Sequence, residues 1–269
     1  MTQQRYLPEA DRVSVLVAVI LLAYALARVI SLPEYRLETV LGGRDLVFSI
    51  DFDVLAAFII AGLTASGTDW LLRSHPAFRG AAVEYWLLPA LTAWALSVPL
   101  SSLPGGLGWW MAFAAGGVLI TVVLLAEYIA LDATDARYGV AVAGLTALSF
   151  ALFLILTISL RFTGVRLFLQ LPVVVVSAAL VSLRTMHLRM GGRWETGWMT
   201  GVALMSAQLA VAWHYLPVTP IQYGLLMIGP VYALTALAIN TYEGFSTRRA
   251  FVEFGLTIGV VWLLAVFLG

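Results

Sequence analysis

The chain has 269 residues, of which 61% are hydrophobic and 11% are charged, and its basic and acidic side chains are equal in number. Soluble domains carry about 25% charged residues, so this composition predicts a polytopic integral membrane protein. The sequence contains neither cysteine nor lysine, which excludes disulfides, iron–sulfur clusters, cysteine-based zinc sites and lysine Schiff bases.

Crossing the hydrocarbon layer takes about 20 mostly apolar residues, and nine runs of the sequence meet this requirement. We therefore predict an all-α polytopic transmembrane helix bundle with nine spans, forming a single integral membrane domain over residues 1–269. Eight spans is the alternative, if one run enters and leaves the membrane on the same side. In chain order, the runs are 13–32, 53–72, 82–102, 107–128, 138–160, 167–184, 196–215, 221–240 and 250–268.

The connection between the first two spans, residues 33–52, contains more than a turn. Strand-like residues lie on both sides of Gly42 and Gly43 in the segment 35–51. Paired glycines suit the primed turns of β-hairpins, because those turns need positive φ angles. We predict a small extracytoplasmic β-hairpin here. Isolated hairpins are seldom stable, so it should lie as a flap on the helices or on a partner.

The arginines predict the orientation, because cytoplasmic loops of membrane proteins are enriched in positive charge. With a cytoplasmic N-terminus, ten of the 15 arginines fall in cytoplasmic segments and five on the other side. We therefore predict a cytoplasmic N-terminus and an extracytoplasmic C-terminus. The exclusive use of arginine over lysine is typical of a GC-rich genome, which favours a prokaryotic, bacterial cell membrane.

Three pairs of similar features are separated by 111 to 113 residues: two Leu-Pro steps, two Gly-Leu-Thr triplets, and His75 with His187. This spacing predicts a parallel 4+4 internal repeat, with spans 2–5 in 53–160, spans 6–9 in 161–269 and the first helix as an extra. The alternative is coincidence between helices of similar composition.

The middle of every predicted span lacks an ionisable residue, which argues against a proton- or sodium-coupled transporter. Hydrolase and metalloprotease motifs are also absent from the sequence. We therefore predict no catalytic residue, no metal site and no cofactor. Haem or pigment binding stays a minor alternative, since His75 and His187 fall on the same predicted side of the membrane.

Two connections combine histidine with arginine at the predicted cytoplasmic surface. We name this set the arginine–histidine rim and predict that it binds anionic lipid head groups or a partner, since arginine pairs well with phosphate. The alternative is that the arginines only orient the protein and that Asp69 and Arg73 form an i, i+4 ion pair before Pro76 ends the helix. The rim comprises Asp69, Arg73, His75, Arg79, Arg184, His187, Arg189 and Arg193.

The seventh span carries Gly197 and Gly201 at GxxxG spacing, and Gln208 near its middle. Small residues at this spacing allow helices to approach closely, and an intramembrane amide bonds to a neighbouring helix. We predict that these three residues serve helix packing. The neighbour is either a helix of this chain or a helix of another subunit.

These observations favour a structural or interaction subunit, or a lipid-facing scaffold, of a membrane complex without catalysis of its own. The alternatives are a transporter, flippase or channel-like component for a lipidic or neutral small molecule, an enzyme acting on a lipid or isoprenoid phosphate, and a haem or pigment protein. The expected partners are membrane lipids, including anionic ones, and other membrane subunits or further copies of this chain. Nucleic acid is not an expected partner, because the net charge is zero.

Overall fold

A computed structural model of the protein describes residues 8–30, 35–41, 44–50, 52–78, 84–164 and 166–268. Within these residues the chain forms nine helices and one pair of strands. In chain order, the helices are α1 (Ala10–Val29), α2 (Phe52–Leu72), α3 (Glu84–Ser102), α4 (Leu107–Ile129), α5 (Tyr138–Phe162), α6 (Leu167–Arg189), α7 (Thr196–His214), α8 (Pro220–Tyr242) and α9 (Thr247–Phe267).

The two strands follow α1. Strand β1 (Tyr35–Leu41) pairs antiparallel with β2 (Arg44–Ile50), in register along their whole length. This is the segment in which the sequence predicts a hairpin. Gly42 and Gly43 lie outside the described residues, so the turn type stays a prediction, as does the side of the membrane on which the strands lie.

Seven of these helices are long and apolar enough to cross a membrane: α1, α2, α4, α5, α6, α8 and α9. The prediction of a transmembrane helix bundle is confirmed, and the chain is an integral membrane protein. The number of such helices in the described part of the chain is lower than the nine, or eight, predicted spans. Helices α3 and α7 form where the third and seventh spans are predicted, and at 19 residues each they are long enough to cross a membrane, but they are less apolar than the seven.

The first compact unit extends from Met1 to Ala141. Helix α1 packs against α2, α3 and α4, and α2 packs against α3. Ile20 of α1 is completely buried in this core, and the hydroxyl of Tyr24, one turn later, donates a hydrogen bond to the carbonyl oxygen of Ala93 in α3. Leucine, isoleucine and aromatic side chains therefore hold the four helices together, as expected for apolar helices in contact.

The second compact unit extends from Val142 to Gly269. Helix α6 packs against α7 and α8, α7 against α8, and α8 against α9. Phe150 and Phe153 of α5 lie in the same buried cluster as Val174, Val202 and Met227. Helix α5 therefore belongs with α6–α9, whereas the predicted repeat places it in the first copy. The repeat itself stays a prediction.

We expect the substitution Gly224→Ala to destabilise the second unit. A Cβ atom at this position of α8 would lie 2.5 Å from Cγ1 of Ile158 and 2.9 Å from Cδ1 of Leu154 in α5. Overpacking of this kind costs about 1–3 kcal/mol, so the thermal midpoint of the purified protein should fall. Gly259→Ala in α9 is the matched control, because a Cβ there meets nothing within 4 Å. Equal midpoints for the two variants would contradict close α5–α8 packing.

Candidate functional site

The first segment of the arginine–histidine rim lies at the end of α2. Arg73 Nε donates to Asp69 Oδ2 at 2.7 Å, so the predicted i, i+4 ion pair at the helix end is confirmed. The side chain of Arg73 is 62% exposed and that of Asp69 only 16%. An anion that bound Arg73 would therefore compete with the Asp69 carboxylate. Arg79 lies outside the described residues.

His75 follows α2 and is buried, with only 5% of its surface exposed. Its ring meets Tyr128 of α4 edge-on, with 4.6 Å between the ring centroids. The backbone N–H of Ala77 donates to His75 Nδ1 at 3.0 Å, so the neutral imidazole carries its proton on Nε2. The sequence predicts His75 at the cytoplasmic surface, whereas in the structure its ring is buried inside the first unit.

Acidic residues of the α4–α5 connection lie close enough to His75 to affect its pKa. Burial lowers the pKa of His75, and the charges of Asp132 and Asp135 oppose that shift without cancelling it. Hydrogen bonds from the hydroxyl and backbone N–H of Thr134 lower the pKa of Asp132. Asp135 Oδ2 accepts from Arg137 at 2.8 Å, and this bond raises the pKa of the guanidinium. The arrangement is a neutral imidazole beside two ionised carboxylates.

We expect acidification to destabilise the first unit through His75. Its pKa in the folded protein lies below 6.5 because it is buried beside Tyr128, despite Asp132 and Asp135. The unfolded chain therefore binds more protons as the pH falls below about 6.5, and the free energy of unfolding decreases until the folded-state pKa is passed. Thermal unfolding between about pH 8 and 5 should show a larger loss for the unsubstituted protein than for His75→Gln. Parallel pH profiles would contradict this assignment.

The second segment of the rim lies at the end of α6 and in the connection to α7. Arg184 and His187 are buried, with 3% and 7% of their surfaces exposed, and the His187 ring packs on Trp194 at a centroid distance of 4.9 Å. The two remaining arginines are exposed. Arg189 lies 3.5 Å from the Glu243 carboxylate, and Arg193 lies 3.3 Å from that of Glu195. The rim is thus divided into buried and exposed members in each unit.

The residues predicted to serve helix packing lie on the exposed face of α7. Gly197, Gly201 and Gln208 are all exposed, and a Cβ atom at either glycine would meet nothing within 4 Å. The opposite face of the helix carries Val202 and Ser206, which are completely buried. Of the two neighbours left open by the sequence, the exposed glycines favour a helix outside the part of the chain that the structure describes.

A polar cluster that the sequence did not indicate lies where α5 and α7 end and α6 and α8 begin. We name Arg161, Gln170, His214 and Tyr223 the α5–α8 polar cluster. Arg161 Nη1 donates to the backbone oxygen of His214 at 3.2 Å, and Nη2 donates to that of Leu216 at 2.9 Å. The guanidinium therefore caps the C-terminus of α7, where cations are favourable.

Aromatic and amide groups complete this cluster. The guanidinium carbon of Arg161 lies 5.7 Å from the centroid of the Tyr223 ring, and His214 Nδ1 lies 3.1 Å from Gln170 Oε1. Gln170 and Tyr223 are buried, with 1% and 0% of their surfaces exposed, whereas Arg161 and His214 are half-buried. Polar residues one turn inside the apolar α6 and α8 runs are the signal that would have pointed to this cluster.

Within the described residues, no group of three or more histidine or acidic side chains is arranged to hold a metal ion. Among families of known sequence, one described as "Protein of unknown function (DUF5656)" has a model that matches residues 32–268. The match covers the strands and α2–α9, and it begins after α1. Neither the curated proteins nor the solved structures contain a match.

Proposed function

Since the chain belongs to the DUF5656 family of proteins of unknown function, we propose its role from the exposed surfaces of the structure. The protein is a structural subunit of a membrane complex that assembles through α7. The observation that carries this proposal is a continuous exposed stripe on that helix. Its members follow one another at alternating spacings of four and three residues. We name it the α7 seam, and it comprises Gly197, Gly201, Leu204, Gln208, Val211 and Tyr215.

The spacing of the seam supports contact with another helix. Alternating steps of four and three residues have a mean period of 3.5, the period that keeps one stripe facing a partner helix in a left-handed pair. Gly197 and Gly201 lie at one end of the seam, where the absence of side chains lets two backbones approach closely. The seam therefore has the geometry of a helix–helix interface over the whole length of α7.

Gln208 favours a protein neighbour over lipid. The side chain is exposed near the middle of α7, the helix that the sequence predicts as the seventh span. Hydrocarbon supplies no hydrogen-bond partner for the donors and acceptor of an amide. A second amide satisfies both functions at once, because the group is donor and acceptor. The seam is thus self-complementary, and we propose that its occupant is α7 of a second copy of the chain, related by a two-fold axis.

Helix α9 offers a competing surface, because Gly255 and Gly259 are also exposed at GxxxG spacing. Its exposed face includes Leu256, Val260 and Leu263, which need no polar partner in lipid. The requirement for a hydrogen-bond partner therefore distinguishes the α7 seam from the α9 face.

Disulfide crosslinking in native membranes tests the proposal, and the chain is suited to it because it has no cysteine. The variants Leu204→Cys and Val211→Cys should form covalent dimers on mild oxidation. Val260→Cys on α9 is the matched control, since Val260 is 56% exposed and Leu204 is 61% exposed. Crosslinking at Val260 alone would transfer the interface to α9, and a monomer in all three variants would overturn self-association.

We also propose that the exposed arginines of the rim contact anionic lipid head groups at the cytoplasmic surface. Arg73, Arg189 and Arg193 have 46–63% exposed side chains, and Trp70 and Trp194 are exposed beside them, as is typical of the interface. The double substitution of Arg189 and Arg193 by Gln should reduce co-purified phosphatidylglycerol, since each arginine contributes about 1 kcal/mol near an anionic surface. Unchanged lipid content in native mass spectrometry would reject this contact.

The orientation, the repeat and the placement of the strands complete the proposal. We propose a cytoplasmic N-terminus, an extracytoplasmic C-terminus, extracytoplasmic strands β1 and β2, and a 4+4 repeat in a prokaryotic cell membrane. The excess of arginine in the connections on one predicted side supports the orientation. A reporter enzyme that works only outside the cytoplasm should be active when it is fused after Gly269. Activity of a reporter that works only in the cytoplasm, fused at the same position, would reverse the predicted orientation.

A further inference from the structure

The α5–α8 polar cluster concentrates positive charge without a described counterion. Arg161 forms no ion pair with a carboxylate in the described part of the chain, and its guanidinium bonds are made to backbone oxygens. Helices α6 and α8 begin beside it and α5 and α7 end there, so the positive and negative helix ends offset one another. The half-buried guanidinium keeps its own charge, and no other side chain of the cluster carries negative charge, which favours binding of an anion.

The buried polar atoms of the cluster indicate how the Gln170 amide is oriented towards His214. With Gln170 Oε1 facing His214, the buried Nε2 of Gln170 and the buried hydroxyl of Tyr223 have no hydrogen-bond partner. A rotation of the amide by about 180° exchanges its oxygen and nitrogen without moving other atoms. Gln170 Nε2 then donates to His214 Nδ1, and Oε1 takes the former position of Nε2 near Tyr223, which lies beside this amide.

This orientation gives the buried Gln170 Nε2 a partner, as nearly all buried polar groups in proteins have one. It also makes His214 Nδ1 an acceptor, so the proton of the neutral imidazole is on Nε2. The half-buried side of the cluster then offers only donors: the imidazole N–H of His214 and the guanidinium of Arg161. Tyr223 and Gln170 lie underneath and position them.

We propose that Arg161 and His214 bind a phosphate-type anion at this end of the second unit, with Gln170 and Tyr223 as positioning residues. A guanidinium has five N–H donors; two of those of Arg161 bond to backbone oxygens, which leaves three for the oxygens of a phosphate. Exposed apolar side chains border the cluster, including Phe162, Phe168 and Tyr215. These surroundings suit a phosphate carried by a lipid as well as a free phosphate ion, and the chemistry recognised is the same in both.

Thermal unfolding of the purified full-length protein tests this site with two probes. The first probe is inorganic phosphate added to the protein in neutral detergent. The second is a nanodisc of phosphatidylglycerol, compared with one of phosphatidylcholine. Stabilisation by both probes identifies a general phosphate site, and stabilisation by phosphatidylglycerol alone identifies a head-group site. Stabilisation by neither probe overturns the proposal.

Variants distinguish the site from general attraction between charges. Arg161→Gln should weaken binding at least tenfold, whereas Arg166→Gln, which removes an exposed positive charge five residues away, should leave it unchanged. His214→Ala should also weaken binding, and it keeps the α7 cap because Arg161 bonds to the backbone oxygen. Equal losses at Arg161 and Arg166, or full binding by His214→Ala, would overturn the site as described.

Gln170 has a separate readout, because it acts on His214 and not on the anion. Gln170→Leu removes the acceptor–donor link to the imidazole but no charge. Anion affinity in this variant should fall, because His214 is no longer held in the tautomer that presents its Nε2–H to the anion. A purely structural role would lower the thermal midpoint and leave the anion affinity as in the unsubstituted protein, which would exclude Gln170 as a positioning residue.

Discussion

Replacing Gly201 with leucine is expected to raise the dissociation constant of the proposed dimer at least tenfold, which is a loss of about 1.4 kcal/mol or more in the free energy of association. A leucine side chain at this position of the α7 seam would separate two backbones that the glycine allows to approach. The effect on the folded monomer should be small, because a Cβ at Gly201 meets nothing within 4 Å. Dilution of labelled protein in liposomes, followed by energy transfer between copies, measures the dimer fraction.

Gly259→Leu provides the control for this substitution. Gly259 lies on the exposed face of α9 and also has nothing within 4 Å of a Cβ, so the two variants differ only in the helix that they change. Gln208→Leu tests the other part of the seam, and loss of an interhelical amide bond should weaken the dimer by about 0.6–1.7 kcal/mol. A dimer that tolerates Gly201→Leu but not Gly259→Leu would assign the interface to α9.

The largest expected effect on stability is that of Arg161→Leu. The substitution removes two charge-assisted bonds to the backbone oxygens of His214 and Leu216. The oxygen of His214, the last of α7, loses its donor, whereas that of Leu216 still accepts from the N–H of Val218. Hydrogen bonds to charged groups contribute about 1.5–3 kcal/mol each, and half-exposure reduces that figure. We expect a net loss of about 2–4 kcal/mol in the free energy of unfolding, seen as a lower thermal midpoint in detergent.

Arg166→Leu separates this cap from the general effect of losing an arginine. Arg166 is exposed and precedes α6 without capping it through its side chain, so its replacement should change the free energy of unfolding by less than about 0.5 kcal/mol. Arg161→Lys is informative as well, because it keeps the charge but not the fork of donors. Stability equal to that of the unsubstituted protein in Arg161→Leu would show that α7 needs no cap.

Most of the helical architecture follows from the apolar runs, because in lipid an uninterrupted apolar segment has to satisfy its backbone groups as a helix. Helices α4, α6 and α8 begin within one residue of the runs at 107, 167 and 221. The exceptions in span count, α3 and α7, are physically marginal. Helix α3 contains Pro89 and Pro99, which lower its mean hydropathy although its 19 residues are enough to cross the membrane.

The α5–α8 polar cluster was not predictable in the same way. Sequence spacing reveals neighbours on one helix, and it correctly indicated the Asp69–Arg73 pair. Gln170 and His214 are 44 residues apart and come together only because α6 packs against α7. Contacts of this kind depend on which helices pair and on which of their faces meet. Helices that are all rich in leucine, alanine and valine give little information about either.

The direction in which side chains face was also outside the reach of the sequence. The distribution of arginines predicts on which side of the membrane each helix ends, but it does not separate buried Arg184 from exposed Arg189. The glycines of α7 likewise fit an internal interface and an external one equally well from spacing alone. Only the packing of Val202 and Ser206 into the second unit assigns the glycine face to the outside.

The last turn of α7 joins two surfaces that have so far been treated separately. His214 belongs to the polar cluster and Tyr215 ends the seam, and their rings meet edge-on at 5.4 Å between centroids. Linkage between two binding events is reciprocal, so an anion that binds the dimer more tightly than the monomer increases dimerisation by the same factor. The fraction of the protein that is dimeric would then rise with the amount of anionic lipid around it, and α7 would couple the lipid composition of the membrane to the oligomeric state.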